Sequence, residues 1–193
     1  MNVYLIAAVG VDGAIGQNGG LPWGLLTGDL RWFQRITMAA DPVATARGLI
    51  DRCVCGVRGT DTNVVAMGRR TLVSVRARLP WRRIMLLHGM GTPHTSGEIP
   101  CRHTAHTVMQ AAERANAPNL FFIGGTRVFA AALRLKRLSA LFLTQVDKTF
   151  PQADTWFPAD SLPDTGWTMT TSGPWEREHG LKYRLTIWER GHA

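Results

Sequence analysis

The sequence predicts an α/β protein with a mostly parallel, twisted central sheet, helices on both faces and an antiparallel C-terminal hairpin. Three observations predict it. Short apolar runs of strand length alternate with stretches of helix length, the pattern of successive βαβ units. The runs are apolar throughout rather than at every second residue, as expected of parallel strands covered on both sides. The alternation then stops. Trp167–Thr171 and Lys182–Glu189 are both strand-like, and a loop containing Gly173, Pro174 and Gly180 joins them, which predicts two antiparallel strands at the sheet edge.

Taken in order, Val3–Val9 is the first buried strand; with no positive region before it and no small-residue cleavage site after it, it reads as a strand rather than a signal peptide. Gly10, Gly13, Gly16, Gly19 and Gly20 follow in a loop that closes on Leu21-Pro22-Trp23, and so much glycine costs order and suits a mobile lid. Asp29–Met38 is the first helix, apolar at Leu30, Trp32 and Phe33. Val64–Met67 is the second strand, and Gly68 turns it into the helix Thr71–Arg78. Ile84–Leu87, the helix Ala105–Ala115 and the strand Leu120–Ile123 come next. Gly124-Gly125-Thr126 then opens the helix Arg127–Leu135, and Leu141–Val146 is the last parallel strand. No internal repeat or low-complexity segment interrupts the series. A chain of 193 residues, 45% of them apolar, is expected to fold as one domain over 1–193 with a sizeable core.

Composition excludes several classes. No apolar run approaches the roughly 18 residues of a membrane span. Three cysteines, Cys53, Cys55 and Cys101, are too few for a disulfide framework, so a reducing cytoplasm is the expected compartment. With His103 they make a poorly spaced set of zinc ligands, and no metal is expected. The charge asks for a partner: 22 basic against 14 acidic side chains leave +8, which calls for an anion. Val64–Leu87 contains Arg69, Arg70, Arg76, Arg78, Arg82 and Arg83 with no lysine or acid, and so holds +6 of it. Arginine throughout suits bidentate recognition of phosphate and carboxylate.

In sheets of this kind ligands sit beyond the carboxyl ends of the strands. Gly68-Arg69-Arg70-Thr71 follows one strand and Gly124-Gly125-Thr126 another, each opening a helix whose free N–H groups and dipole favour phosphate. Each alone is a common strand-to-helix turn; two together favour a dinucleotide, although neither is the Rossmann fingerprint. Asp29 stands among Leu25, Leu26, Leu30, Trp32 and Phe33. A carboxyl on an apolar face is costly to ionise, which marks it as functional, while a helix N-cap is the structural alternative. Thr144, polar within an apolar strand, is its expected hydrogen-bond partner.

These residues fall into a recognisable order. Ile6-Ala7-Ala8, Asp12, Ile15-Gly16, Leu21-Pro22-Trp23 with Asp29, Trp32-Phe33 with Thr37, Met67-Gly68-Arg69-Arg70-Thr71, Leu79-Pro80 with Arg82, Ile123-Gly124-Gly125, Leu143-Thr144, Asp154-Thr155-Trp156-Phe157-Pro158 and the final Glu189-Arg190 resemble the dihydrofolate reductases, from Val3 to Arg190. The resemblance implies reduction of 7,8-dihydrofolate to tetrahydrofolate with NADPH. Asp29 would grip the pterin at N3 and its 2-amino group and promote protonation of N5, with Trp23 and Thr144 holding an ordered water beside it. Ile6 and Ile123 would offer backbone carbonyls, Leu30, Phe33, Val75 and Leu79 a slot for the p-aminobenzoyl ring, and Arg82 a clamp for the glutamate α-carboxylate. Ala8, Ile15, Gly16 and Phe129 would border the nicotinamide. Gly68, Arg69, Arg70, Thr71, Gly124, Gly125, Thr126 and Arg127 would hold the phosphates, Arg69 the 2′-phosphate, and His88 would lie at the adenosine end.

Three features depart from the family pattern. Phe129 replaces a common tyrosine, and Trp81 replaces a common glycine beside Arg82. Ala39–Asn63 adds 25 net-neutral residues, expected to elaborate the surface away from the phosphate cradles. Two rival readings are a pyrimidine reductase of the same fold and a basic nucleic-acid-binding domain. The first needs neither the Trp23-to-Asp29 spacing nor Arg82, and the second lacks stacking aromatics among the arginines, where only Trp81 occurs. The expected partners are dihydrofolate and antifolate inhibitors, with no nucleic acid or membrane, acting on a monomer.

Overall fold

The computed structural model describes residues 1–52, 62–75, 79–87, 101–102, 104–158 and 166–190. In chain order the elements begin β1 (Asn2–Gly10), β2 (Ala14–Gly16), α1 (Thr27–Met38), α2 (Pro42–Ile50), β3 (Val64–Met67), α3 (Arg69–Val75), β4 (Arg83–Leu87) and β5 (Cys101–Arg102). They continue with α4 (Ala105–Arg114), β6 (Asn119–Phe122), α5 (Thr126–Leu133), β7 (Leu138–Val146), β8 (Thr155–Trp156), β9 (Trp167–Ser172), β10 (Glu176–Glu178) and β11 (Leu181–Arg190). The main sheet runs β10-β11-β7-β1-β6-β3-β4-β5, with β9 also on β11, while β2 and β8 form a separate two-stranded ribbon. Pairing is parallel from β7 through β5 and antiparallel at β11, as the sequence predicts.

The continuous apolar runs bury side chains in both directions. Val3 and Leu5 of β1 point into a core shared with α4 and α5, and Tyr4 and Ile6 into a second core with Ile36 of α1, Ala46 of α2 and Leu72 of α3. Helices therefore cover both faces, and each strand is held by apolar contact above and below.

The C-terminal edge is more divided than expected. β11 pairs through Tyr183 with β10 and through Thr186–Arg190 with β9, so two strands share its outer side where the sequence suggests one. The stretch after α1 also contains a helix. Asp41 caps α2 by accepting the Ala44 N–H at 3.0 Å, and Pro42 occupies its first turn. The fully buried Asn63 and Asn119 fasten this region. Asn119 donates to Asn63 Oδ1 at 3.0 Å and to the Ala40 carbonyl at 3.2 Å, and Asn63 donates to the Thr37 and Ala39 carbonyls at 3.0 and 2.8 Å. The chain leaving α1 is thereby held at the amino ends of β3 and β6, opposite the phosphate cradles. Among the described residues no helix is long and apolar enough to cross a membrane.

Candidate active site

The sheet opens at one place. β1 pairs with β7 as far as Gly10 and Val146, but with β6 only as far as Leu5 and Phe122. Beyond that register Ile6 and Ile123 lie on two diverging strands. Since β1 sits between the half of the sheet leading to β5 and the half leading to β11, this is the topological switch point, where a crevice forms at the carboxyl ends. Ile6 is buried and forms part of the wall, and Ala8 and Ile123 are half-buried.

Asp29 lies in the first turn of α1 and is 9% exposed. Burial pushes its carboxyl up to about 6, against a hydrogen bond from Thr144 that favours the ionised form, while the nearby Glu178 charge pushes in the same direction as burial. Thr144 is buried on β7 opposite Ala8. Asp29 is not the helix cap. The capping position is Leu26, which supplies no side-chain acceptor. The free N–H groups of Thr27 and Gly28 donate instead to Glu178 at 2.7 and 3.0 Å. Trp23 packs on Phe150 with ring centroids 5.3 Å apart, and its buried indole N–H has no protein acceptor among the described residues.

From Asp29, α1 runs on to Thr37, eight residues or about 12 Å along the helix. Phe33 on α1, Val75 at the end of α3 and Leu79 belong to one core cluster, and Leu30 on α1 is half-buried. Arg82 packs against the Thr37 end of α1. It is 8% exposed, donates to the Thr37 hydroxyl at 2.7 Å and to the Pro80 carbonyl at 3.1 Å, and lies 5.6 Å from the centre of the Phe33 ring. Trp81 adopts φ +64° and is 69% exposed, so it turns outward and leaves Arg82 on α1.

The two glycine turns meet side by side: the Gly68 N–H donates to the Gly124 carbonyl at 2.8 Å. Gly124 has φ +132°, a conformation that strains any side chain, and a Cβ there would also stand 3.3 Å from the Thr71 hydroxyl, a tight contact. Gly125 precedes α5. Arg69 and Arg70 are exposed in the first turn of α3, as is Arg127 in that of α5. Backbone donors, hydroxyls and three guanidinium groups around two adjoining turns suit a ligand bearing several phosphates. The Thr126 hydroxyl is committed to the Trp156 carbonyl at 2.5 Å, so its contribution to a ligand is the unpaired N–H of a first helical residue. Phe129 is buried against Phe157 with centroids 5.2 Å apart.

The remaining arginines of the basic stretch divide. Arg83, at the opposite end of β4, donates to the Ala115 carbonyl at the end of α4 at 2.8 Å and so serves the fold. Arg76, Arg78, His88, Cys53, Cys55 and His103 lie outside the described residues, as does the Cys101 side chain. Among the described residues no cluster of metal-ligating side chains occurs.

The glycine loop is docked. Ile15 and Gly16 lie in β2, paired with β8. Asp12 accepts the Phe150 N–H at 2.6 Å, and Asp154 accepts the Asn18 N–H at 2.7 Å. The Thr155 hydroxyl, then the Asn18 N–H, hold the Asp154 carboxyl below its usual range. Asp12 and Asp154 belong to the motifs quoted above, but their partners are distant in sequence and could not be read there. Glu178 carried no signal of its own; the hint was a helix start at Leu26 without a local cap.

A buried acid near the switch point, a buried arginine packed on the same helix and two adjoining glycine turns ringed by arginines suit an α/β enzyme for small anionic molecules. A family model described as dihydrofolate reductase matches residues 58–190, and the chain belongs to the dihydrofolate reductase family. It is 26% identical over 201 residues to the dihydrofolate reductase of Sus scrofa, covering 97% of each chain. Identity to the Drosophila melanogaster dihydrofolate reductase is 27% over 201 residues, covering 96% of each. With dihydrofolate reductase type A13 of Escherichia coli it is 27% over 158 residues, covering 82% of this chain and 78% of that one. The match to the Cryptococcus neoformans dihydrofolate reductase spans 55% of that protein's length. Family membership makes the chain an oxidoreductase.

Proposed function

We propose that this chain reduces 7,8-dihydrofolate to 5,6,7,8-tetrahydrofolate with NADPH as reductant. The observation that carries this reading is the pairing of Asp29 with Arg82 at opposite ends of one apolar slot. A carboxyl poised near 6 can share or give a proton to a neutral heterocycle, and a guanidinium about two helical turns away can hold a carboxylate on that heterocycle's tail. Dihydrofolate has this shape and charge.

In the proposed complex Asp29 grips the pterin at N3 and the 2-amino group and supports protonation of N5. Thr144 hydrogen-bonds the Asp29 carboxyl, and Trp23 and Thr144 hold an ordered water beside it. Ile6 and Ile123 border the ring with their carbonyls. Leu30, Phe33, Val75 and Leu79 exclude water along the p-aminobenzoyl ring, and Arg82 binds the α-carboxylate. NADPH, when bound, supplies the hydride that reaches pterin C6. Ala8, Ile15 and Gly16 border its nicotinamide end, with Arg70, Thr71, Arg127 and the N–H groups of the two glycine turns on its phosphates and Arg69 on the 2′-phosphate. The β2–β8 ribbon shields the reacting atoms from solvent.

The test is the absorbance of NADPH during turnover. Addition of dihydrofolate should consume NADPH one for one, with NADH consumed more slowly. An inactive wild-type chain that nevertheless binds both ligands would overturn the reading.

A further inference from the structure

The inference here concerns how Asp29 is held, and it rests on the reductase reading. The first turn of α1 is capped from 150 residues away. One oxygen of Glu178 accepts both the Thr27 N–H, at 2.7 Å, and the Thr27 hydroxyl, at 2.6 Å; the other accepts the Gly28 N–H at 3.0 Å. Tyr183, buried on β11, donates to the second oxygen at 3.2 Å. Gly28 makes this closure possible, because a Cβ there would stand 2.1 Å from the Tyr183 hydroxyl. The same strand carries Leu185, paired with Thr144 on β7. One hairpin and one register therefore set both the residue that hydrogen-bonds Asp29 and the carboxylate that holds its helix turn.

We propose that Glu178 is a positioning residue for the reduction: it fixes the turn of α1 that carries Asp29 and sets a second negative charge at the same helix terminus. A helix N-terminus stabilises a nearby carboxylate. Glu178 has the better claim to that field, with three donors from α1 and one from Tyr183, and its carboxyl is pulled down to about 2, the Thr27 hydroxyl being the largest cause. Asp29 is left on the apolar side of a terminus already matched by a negative charge. Two carboxyl groups in one locality, one held below the ordinary carboxylate range and one above it, is the arrangement by which environments separate acid from base. Among the described residues the other charged or titratable groups at this end include Glu176 and Arg177 on β10, His179 in the turn at 3.5 Å from Glu178, Lys182 on β11 paired with Asp147 at 3.8 Å, and Arg31 on α1. His179 is largely exposed and, when protonated, partly offsets Glu178.

The experiment titrates the Asp29 carboxyl directly, by carbon-13 NMR of labelled chain, in wild type, Glu178→Gln and Glu178→Asp, beside the pH profile of kcat/KM. The amide keeps an acceptor for α1 but removes the charge. Its Asp29 midpoint should fall by about half to one pH unit, and the alkaline limb of kcat/KM should move with it. Glu178→Asp retains the charge one methylene further back and should move the midpoint the same way by less than half as much. If the amide variant does not fold, that smaller fall decides the matter. An unmoved midpoint in whichever variant folds, or an equal shift in both, overturns the proposal. Failure of the functional reading shows separately, as a wild-type chain that does not reduce dihydrofolate.

Discussion

Asp29→Asn isolates what this site costs the fold. The carboxyl titrates at about 6 in the native chain against an ordinary 3.8, so folding holds its proton more tightly by about two pH units. Each unit corresponds to about 1.4 kcal/mol, giving about 3 kcal/mol. Between pH 3.8 and 6 the native state keeps the proton that the unfolded chain has released, so the stability of the wild type falls as pH rises through that window and is level above it. Asparagine is neutral throughout and can still hydrogen-bond Thr144. Glu178 has the opposite dependence, its contribution being complete above its unfolded value and lost as pH falls towards 2, but it is present in both proteins and largely cancels in the difference. Urea denaturation from pH 4 to pH 8 should show the variant close to the wild type at pH 4 and more stable by about 2–3 kcal/mol at pH 8, while dihydrofolate turnover falls by orders of magnitude. A stability difference independent of pH would refute the account of Asp29 as a buried, unpaired acid.

Arg82→Ala should raise KM for dihydrofolate tenfold or more with a smaller change in kcat, and should cost about 1–3 kcal/mol through the lost bond to Thr37; steady-state kinetics and a thermal melt check the two parts. Gly28→Ala should destabilise by about 1–3 kcal/mol by overpacking against Tyr183, and Tyr183→Phe, which removes the closest atom, should recover part of that loss in a double-mutant cycle. Asp154→Ala should speed hydrogen exchange at the Asn18 amide and leave exchange in α4 unchanged, because its bond to Asn18 ties the β2 ribbon to β8 rather than to the core.

Five of the six parallel strands and four of the helices were legible because their signal is local: β3 follows Val64–Met67 residue for residue, and α5 begins where Gly124-Gly125 ends. The strands β2, β5, β8 and β10 span only two or three residues, and partners far along the chain define them rather than any periodicity. The helix α2 did carry a signal, Asp41 before Pro42, but it lay in a stretch read as surface elaboration. The basic stretch shows how proximity in sequence misleads. Arg69 lies at the glycine turns, Arg82 packs on α1 and Arg83 caps α4, because a helix and a return lie between Gly68 and β4.

The site divides along the same line. Residue chemistry and spacing were enough to single out Asp29, Thr144 and the two glycine turns, since an acid among apolar residues or a glycine before a helix stands out wherever the chain goes, whereas Arg82 was distinguished from the other arginines only by the family resemblance. Which group caps α1 and why Gly28 must lack a side chain depend on β10 and β11 returning beside the first helix, and which atom holds Arg82 depends on the turn before β4 packing on the far end of α1. Those contacts join residues 45 to 151 positions apart, and only the packed sheet brings such groups within 3 Å of one another.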